Sequence, residues 1–125
     1  MLKIKSIFFA VSFFIISFTV FAGERTIPVD VFLMIDKSQS MNEPGKFDSL
    51  HKWVRDTLVT EMLIPEDWIT VWEFYEEPHE LQTLIIKDEN DRNTLIKTID
   101  NITPNGAFTD IGRALDAIQD SLNKR

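Results

Sequence analysis

Apolar and polar positions fall into blocks whose period changes along the chain. Five apolar residues, Val31-Phe32-Leu33-Met34-Ile35, run without a break and end at Asp36. Side chains of a strand point alternately to its two faces, so this run needs cover on both. It predicts a central strand of a parallel sheet, from about Val29 to Ile35, with helices on either side. Asp36 to Gly45 is polar and reads as a loop. Phe47, Leu50, Val54, Leu58 and Met62 then recur at three- and four-residue spacings and predict one helix from about Lys46 to Met62. Pro65 follows it.

Trp68 to Tyr75 is rich in β-branched and aromatic residues and predicts a second strand. Glu76 to Glu80 reads as a turn and Leu81 to Ile86 as a short third strand. A link this short joins antiparallel neighbours, since a parallel pair needs a crossover of about a dozen residues or more. Thr94 to Ile102 predicts a short helix with Leu95, Ile96, Ile99 and Ile102 inward. Pro104-Asn105-Gly106 is a loop signal. A last helix starts near Thr109 or Asp110, with Ile111, Ala114, Leu115, Ile118 and Leu122 on one face. The order β-α-β-β-α-α, with a right-handed crossover between the first two strands, predicts an α/β fold. It is a three-layer, Rossmann-like doubly wound sheet that is incomplete, with about three strands and three helices. The first strand is expected to have the second on one side and an unpaired edge on the other.

The amino terminus changes the picture. Lys3 and Lys5 are the only charges before Gly23, Ile7 to Phe21 is almost wholly apolar, and Val20-Phe21-Ala22 ends in a small residue. That is the pattern of a secretory signal peptide over residues 1–22, leaving 23–125 as the domain. A membrane anchor is the rival reading, but the apolar stretch is short against the roughly 20 residues of a spanning helix. Cleavage implies a periplasmic, cell-surface or secreted protein with no membrane insertion thereafter. It would also move the net charge from −7 to −9 with the loss of two lysines. An acidic chain is a poor partner for nucleic acid or anionic membrane surfaces. The absence of cysteine excludes disulfides, thiolate metal sites and a cysteine nucleophile.

The candidate chemistry lies where the first strand ends. In doubly wound sheets ligands bind at the carboxyl ends of the strands. Asp36, Ser38 and Ser40 form Asp-x-Ser-x-Ser there, three hard oxygen groups suited to a hard divalent cation, Mg²⁺ first. Read alone, these five residues are better explained as turn-capping groups. A second loop, Gly106-Ala107-Phe108-Thr109-Asp110-Ile111-Gly112, opens the last helix at what should be the same edge. Thr109 there is also a possible helix N-cap.

At these residues the chain resembles the von Willebrand factor type A domain and its metal-ion-dependent adhesion site. In that family an apolar strand ends in Asp-x-Ser-x-Ser, matched by Asp36, Ser38 and Ser40. A threonine from a glycine-containing loop, matched by Thr109, completes the near side. The resemblance implies an exported module that binds protein partners through Mg²⁺ (or Mn²⁺ or Ca²⁺). Ser38 and Ser40 would bind the ion directly and Asp36 would orient metal-bound water. Thr109 would bind directly or through water. A Glu or Asp carboxylate of the partner would take the open position. Lys37, Gln39, Asn42 and Phe108 would lie around the rim. The family's domain continues with a further strand ending in another aspartate. Asp110, Asp116 and Asp120 do not follow an apolar strand, so the site is expected to be incomplete. A truncated fragment without metal binding is therefore the alternative.

An aspartate-dependent phosphotransfer enzyme is a weaker alternative, because position 38 is Ser where such phosphatases carry a second acid. No Gly-x-x-x-x-Gly-Lys run exists and no histidine is placed to activate Ser38, so the chain does not read as an enzyme. His51 is expected to be packed beside the first helix's apolar stripe, and His79 to lie in a solvated acidic turn with Glu76, Glu77 and Glu80. Trp53, Trp68 and Trp72 are expected in the core or on a sheet face. The hairpin from Tyr75 to Leu81 is expected to be exposed.

Overall fold

A computed structural model describes residues 25–125; the predicted signal segment, residues 1–22, lies outside them. The first strand, β1, runs Asp30–Asp36. A short 3₁₀ turn, Gln39–Asn42, follows. The first helix, α1, is α-helical over Lys46–Trp53 and widens to a π-helix over Val54–Met62. Strands β2, Trp68–Phe74, and β3, Pro78–Ile85, come next. Helices α2, Glu89–Asp100, and α3, Ile111–Lys124, complete the described chain. The order is the predicted β-α-β-β-α-α.

The sheet order is β1-β2-β3. β1 and β2 are parallel, with Asp30 opposite Trp68 and Asp36 opposite Phe74. β2 and β3 are antiparallel, with an irregularity between Val71 and Trp72. The sequence places β1 centrally; among the described residues β2 is the middle strand and β1 pairs with β2 alone. Val31 to Met34 are accordingly half-buried.

The period-2 pattern sorts the two faces of the sheet. Ile35, Ile69 and Val71 are buried in one cluster with Val54, Leu58 and Val59 of α1 and Leu95 and Ile99 of α2, and Val31 and Leu33 pack against it. The other face carries Phe32, whose ring lies 5.2 Å from that of Trp68. α3 crosses this face. The Arg125 guanidinium just beyond its end sits 4.8 Å over the Trp68 ring and bonds Asp30 at 3.1 Å. The result is a three-layer α/β arrangement.

Several expectations are corrected. α2 begins at Glu89, not Thr94. Asp88 accepts from the backbone N–H of Asn90 and Asp91, and the Asp91 side chain accepts from Asp88 in return. This capping box satisfies first-turn donors five residues earlier than the apolar spacing suggests. β3 begins at Pro78, so the turn is shorter than predicted. Met62 and Trp53 are half exposed, at 50% and 49%. The i to i−5 bond from Leu63 N to Leu58 O marks the widened turns that carry Met62 off the α-helical stripe. Ile111, Leu115 and Leu122 are also exposed, because α3 meets the sheet through Ala114, with Ala117, Ile118 and Ser121 half-buried beside it. Among the described residues no helix is long and apolar enough to cross a membrane.

Opposite the carboxyl end of the sheet, Asp67 ties the chain's entry to the start of β2. It is buried and accepts from Ile64 N (2.8 Å), Val29 N (2.9 Å) and both terminal nitrogens of Arg25 (2.8 and 2.5 Å). The Arg25 guanidinium lowers the Asp67 carboxyl from 3.8 to about 2; burial pushes the other way, and the two backbone donors add to the lowering. A depressed carboxyl stabilises the fold above its unfolded value and loses that contribution as the pH falls toward its folded value. Melting temperature should therefore drop as pH falls from about 4 through about 2, by a loss on the order of 2 kcal/mol. Asp67→Asn should flatten that acid limb, and thermal melts across this range would check it.

Candidate functional site

The site is built where two loops meet beyond β1. β1 ends at Asp36, and its pairing with β2 continues one step further through Lys37 N donating to Phe74 O at 3.0 Å. The chain then turns sharply. Asp36 Oδ1 accepts from Ser38 N at 2.8 Å, the hydrogen bond that aspartate offers its own backbone two residues on. The turn buries Ser38 to 2% exposure and sets its hydroxyl 3.0 Å from that of Ser40. Met41 N then donates to Ser38 O and opens the 3₁₀ turn.

The second loop is fastened by its backbone. Ser38 and Gly106 form a parallel bridge, and Gly106 N donates to Lys37 O at 2.9 Å. A Cβ at Gly106 would collide with the Tyr75 Cβ and stand 3.1 Å from Lys37 O, so only glycine admits this approach. Asp110 N donates to Tyr75 O at 2.8 Å. Asp110 is the N-cap of α3, with its side chain accepting from Arg113 N at 3.0 Å. Because Asp110 caps the helix, the Thr109 hydroxyl is free to turn toward β1. It donates to Asp36 at 3.2 Å (Oδ1) and 3.4 Å (Oδ2), across 73 residues of sequence.

All four predicted residues are thus brought together by hydrogen bonds within two adjoining loops. Ser38, Gln39, Ser40, Ala107, Phe108 and Thr109 line an open pocket of about 450 Å³. The rim differs from expectation in two places. Lys37 is turned inward, bonded to Glu73 at 3.2 Å and lying 5.3 Å over the Tyr75 ring. Asn42 lines a neighbouring pocket with Phe47, Asp48 and His51 instead. His51 is packed as predicted, edge-on to Phe47 at 4.6 Å. His79 stacks on Tyr75, whose hydroxyl lies 3.2 Å from its Nε2.

The donor set consists of three hydroxyls and one carboxylate, with no nitrogen or sulfur. Such a set fits a hard divalent ion and not zinc. Among the described residues no three His, Cys, Asp or Glu side chains gather as a metal cluster. That is compatible with this site, in which Asp36 is the single acid and the other donors are neutral. Tyr75 belongs to the site as well, although no side-chain motif points to it. Its backbone carbonyl and Cβ position the second loop, and neither leaves a mark in a side-chain motif.

A family model for the von Willebrand factor type A domain matches residues 31–125. The chain belongs to the von Willebrand factor type A domain family. It is 59% identical over 112 residues to a protein of Treponema pallidum (strain Nichols), covering 90% of this chain and 50% of that protein. The chain therefore spans about half the length of this curated relative. Among solved structures it resembles a von Willebrand factor type A protein from Catenulispora acidiphila, with a TM-score of 0.62 and 21% identity over 74% of this chain and 22% of that one. It also resembles an uncharacterized membrane spanning protein from Vibrio fischeri, with a TM-score of 0.66 and 20% identity over 78% and 50%. The PilB minor pilin from Streptococcus sanguinis gives 0.57 and 24% identity over 83% and 28%. These likenesses establish the shared Rossmann-like fold. Von Willebrand factor type A domains generally serve as non-enzymatic protein-interaction modules.

The glycine contact yields a direct test. Gly106→Ala should lower stability by about 1–3 kcal/mol through overpacking against Tyr75. It should also shift the Thr109 amide resonance, whereas Gly45→Ala, with nothing within 4 Å of the added Cβ, should leave Thr109 unmoved. Denaturant melts and amide NMR spectra of both variants would check this.

Proposed function

We propose that this von Willebrand factor type A domain is an exported protein-binding module whose Asp36, Ser38, Ser40 and Thr109 hold a Mg²⁺-class ion. The observation that carries the reading is the convergence of these oxygens from two loops, with Thr109 bonded to Asp36 and Ser38 to Ser40. The ion, when bound, supplies a Lewis-acidic position for a Glu or Asp carboxylate of a partner protein. The chain's own residues do the rest. The three hydroxyls offer lone pairs without adding negative charge. Asp36 neutralises part of the ion's charge and, through Thr109 and Ser38 N, keeps both loops in register. Neutral donors leave the ion electrophilic, which suits recognition of an anion. Mn²⁺ and Ca²⁺ share the preference for oxygen and are the expected substitutes. Export rests on the signal pattern of residues 1–22.

Calorimetric titration of the folded chain with Mg²⁺ and Mn²⁺ should show one site. Ser38→Ala, Ser40→Ala and Asp36→Ala should each weaken it by about tenfold or more, the scale expected for changes at or beside a metal ligand. A chain with a cooperative melt but no heat of binding for either ion would sink the metal reading. Affinity unchanged in both serine variants would reduce the motif to a turn.

A further inference from the structure

The rim of the candidate pocket says which carboxylates it takes. Ser38, Ser40 and Thr109 share its lining with Gln39, Ala107 and Phe108. Phe108 is 59% exposed, in the residue next to Thr109. No lining residue of this pocket is charged. The nearest cation in sequence, Lys37, has a side chain only 12% exposed and is already paired with Glu73. Lys46 Nζ, the other cation at this edge, donates to the Ser40 carbonyl at 3.2 Å and lies 4.0 Å from the Glu43 carboxylate, so both local lysines are already engaged. What the protein itself adds is an apolar ring and an amide.

The wider field narrows the partner further. The chain's net charge is −7, and Glu76 and Glu77 lie in the turn directly after Tyr75, whose carbonyl anchors the second loop. A run of acidic residues would be repelled over distances comparable to the Debye length, about 8–10 Å at physiological salt. A single acid in an otherwise neutral or basic segment would not.

We propose that the site recognises a protein segment in which one Glu or Asp is flanked by a large apolar side chain that packs on Phe108, and that it discriminates against polyacidic segments. This rests on the metal reading above and specifies its partner. Burying most of an exposed phenylalanine ring contributes enough apolar area for roughly a tenfold effect on affinity or more.

The test uses the chain and an array of synthetic peptides, each with one central Glu, the neighbouring position varied among Phe, Leu, Ser, Lys and Asp. In Mg²⁺ the Phe and Leu peptides should bind most strongly and the Asp peptides least, with the signal removed by EDTA. Phe108→Ser should weaken the Phe and Leu peptides about tenfold and leave the Ser peptides unchanged. Its calorimetric Mg²⁺ affinity should stay within about twofold, because Phe108 offers no metal-binding atom. Mg²⁺ binding with no preference for apolar neighbours, or a preference that survives Phe108→Ser, would overturn the inference and leave the metal reading intact. A folded chain that binds neither Mg²⁺ nor any peptide would overturn both.

Discussion

The backbone bridge between Ser38 and Gly106 is the constraint on which the carboxyl end of the sheet depends. It joins a loop that leaves β1 to a loop that enters α3, two segments with no covalent reason to meet. Three contacts secure it: Gly106 N on Lys37 O, Asp110 N on Tyr75 O, and the Thr109 hydroxyl on Asp36. Two of the three are backbone to backbone, so they set position without using the side chains that carry chemistry. The absence of a Cβ at Gly106 lets Tyr75 come close, and Tyr75 in turn lies under Lys37. The Thr109 hydroxyl is therefore located by packing several residues away from it.

This division of labour explains what was legible in the sequence. The apolar run into Asp36 and the hydroxyls after it are local signals, and β1 with its loop is where they predict. The β2–β3 hairpin was equally readable from aromatic and β-branched content and a short link. The pairing of Asp36 with Thr109 was reachable only because both motifs match one family. Their contact spans 73 residues, and no local rule supplies it. The role of Tyr75 was invisible for a different reason: it acts through a carbonyl that every residue possesses.

The misreadings share a physical origin. Apolar spacing alone placed the start of α2 at Thr94, but helix starts are governed by unsatisfied backbone donors, and Asp88 and Asp91 satisfy them earlier. A strict 3.6-residue period also assumed that α1 stays α-helical. Its second half is π-helical, and Arg92 donates to Val59 O and to Leu63 O at that end. Widened turns rotate later side chains away from the extrapolated face, which is why Met62 is exposed while Val59 is buried. In α3 the apolar stripe is real, but small residues make the close approach to the sheet and leave Ile111 and Leu115 outside.

The two ends of the sheet use carboxylates in opposite ways. Asp67 is buried, meets four donors and pairs with Arg25, so its charge is matched internally and its carboxyl is held low. Asp36 accepts from one backbone amide and one threonine hydroxyl, both neutral, and among its described hydrogen bonds there is none from a lysine or arginine. A buried charge balanced by a guanidinium contributes to folding and has little left to offer a ligand. Asp36, by contrast, is held only by neutral donors and lies beside the hydroxyls of Ser38, Ser40 and Thr109. Lys37, the residue next to Asp36, is drawn aside by Glu73 and the Tyr75 ring. The same residue, Tyr75, thus holds Lys37 and positions the second loop.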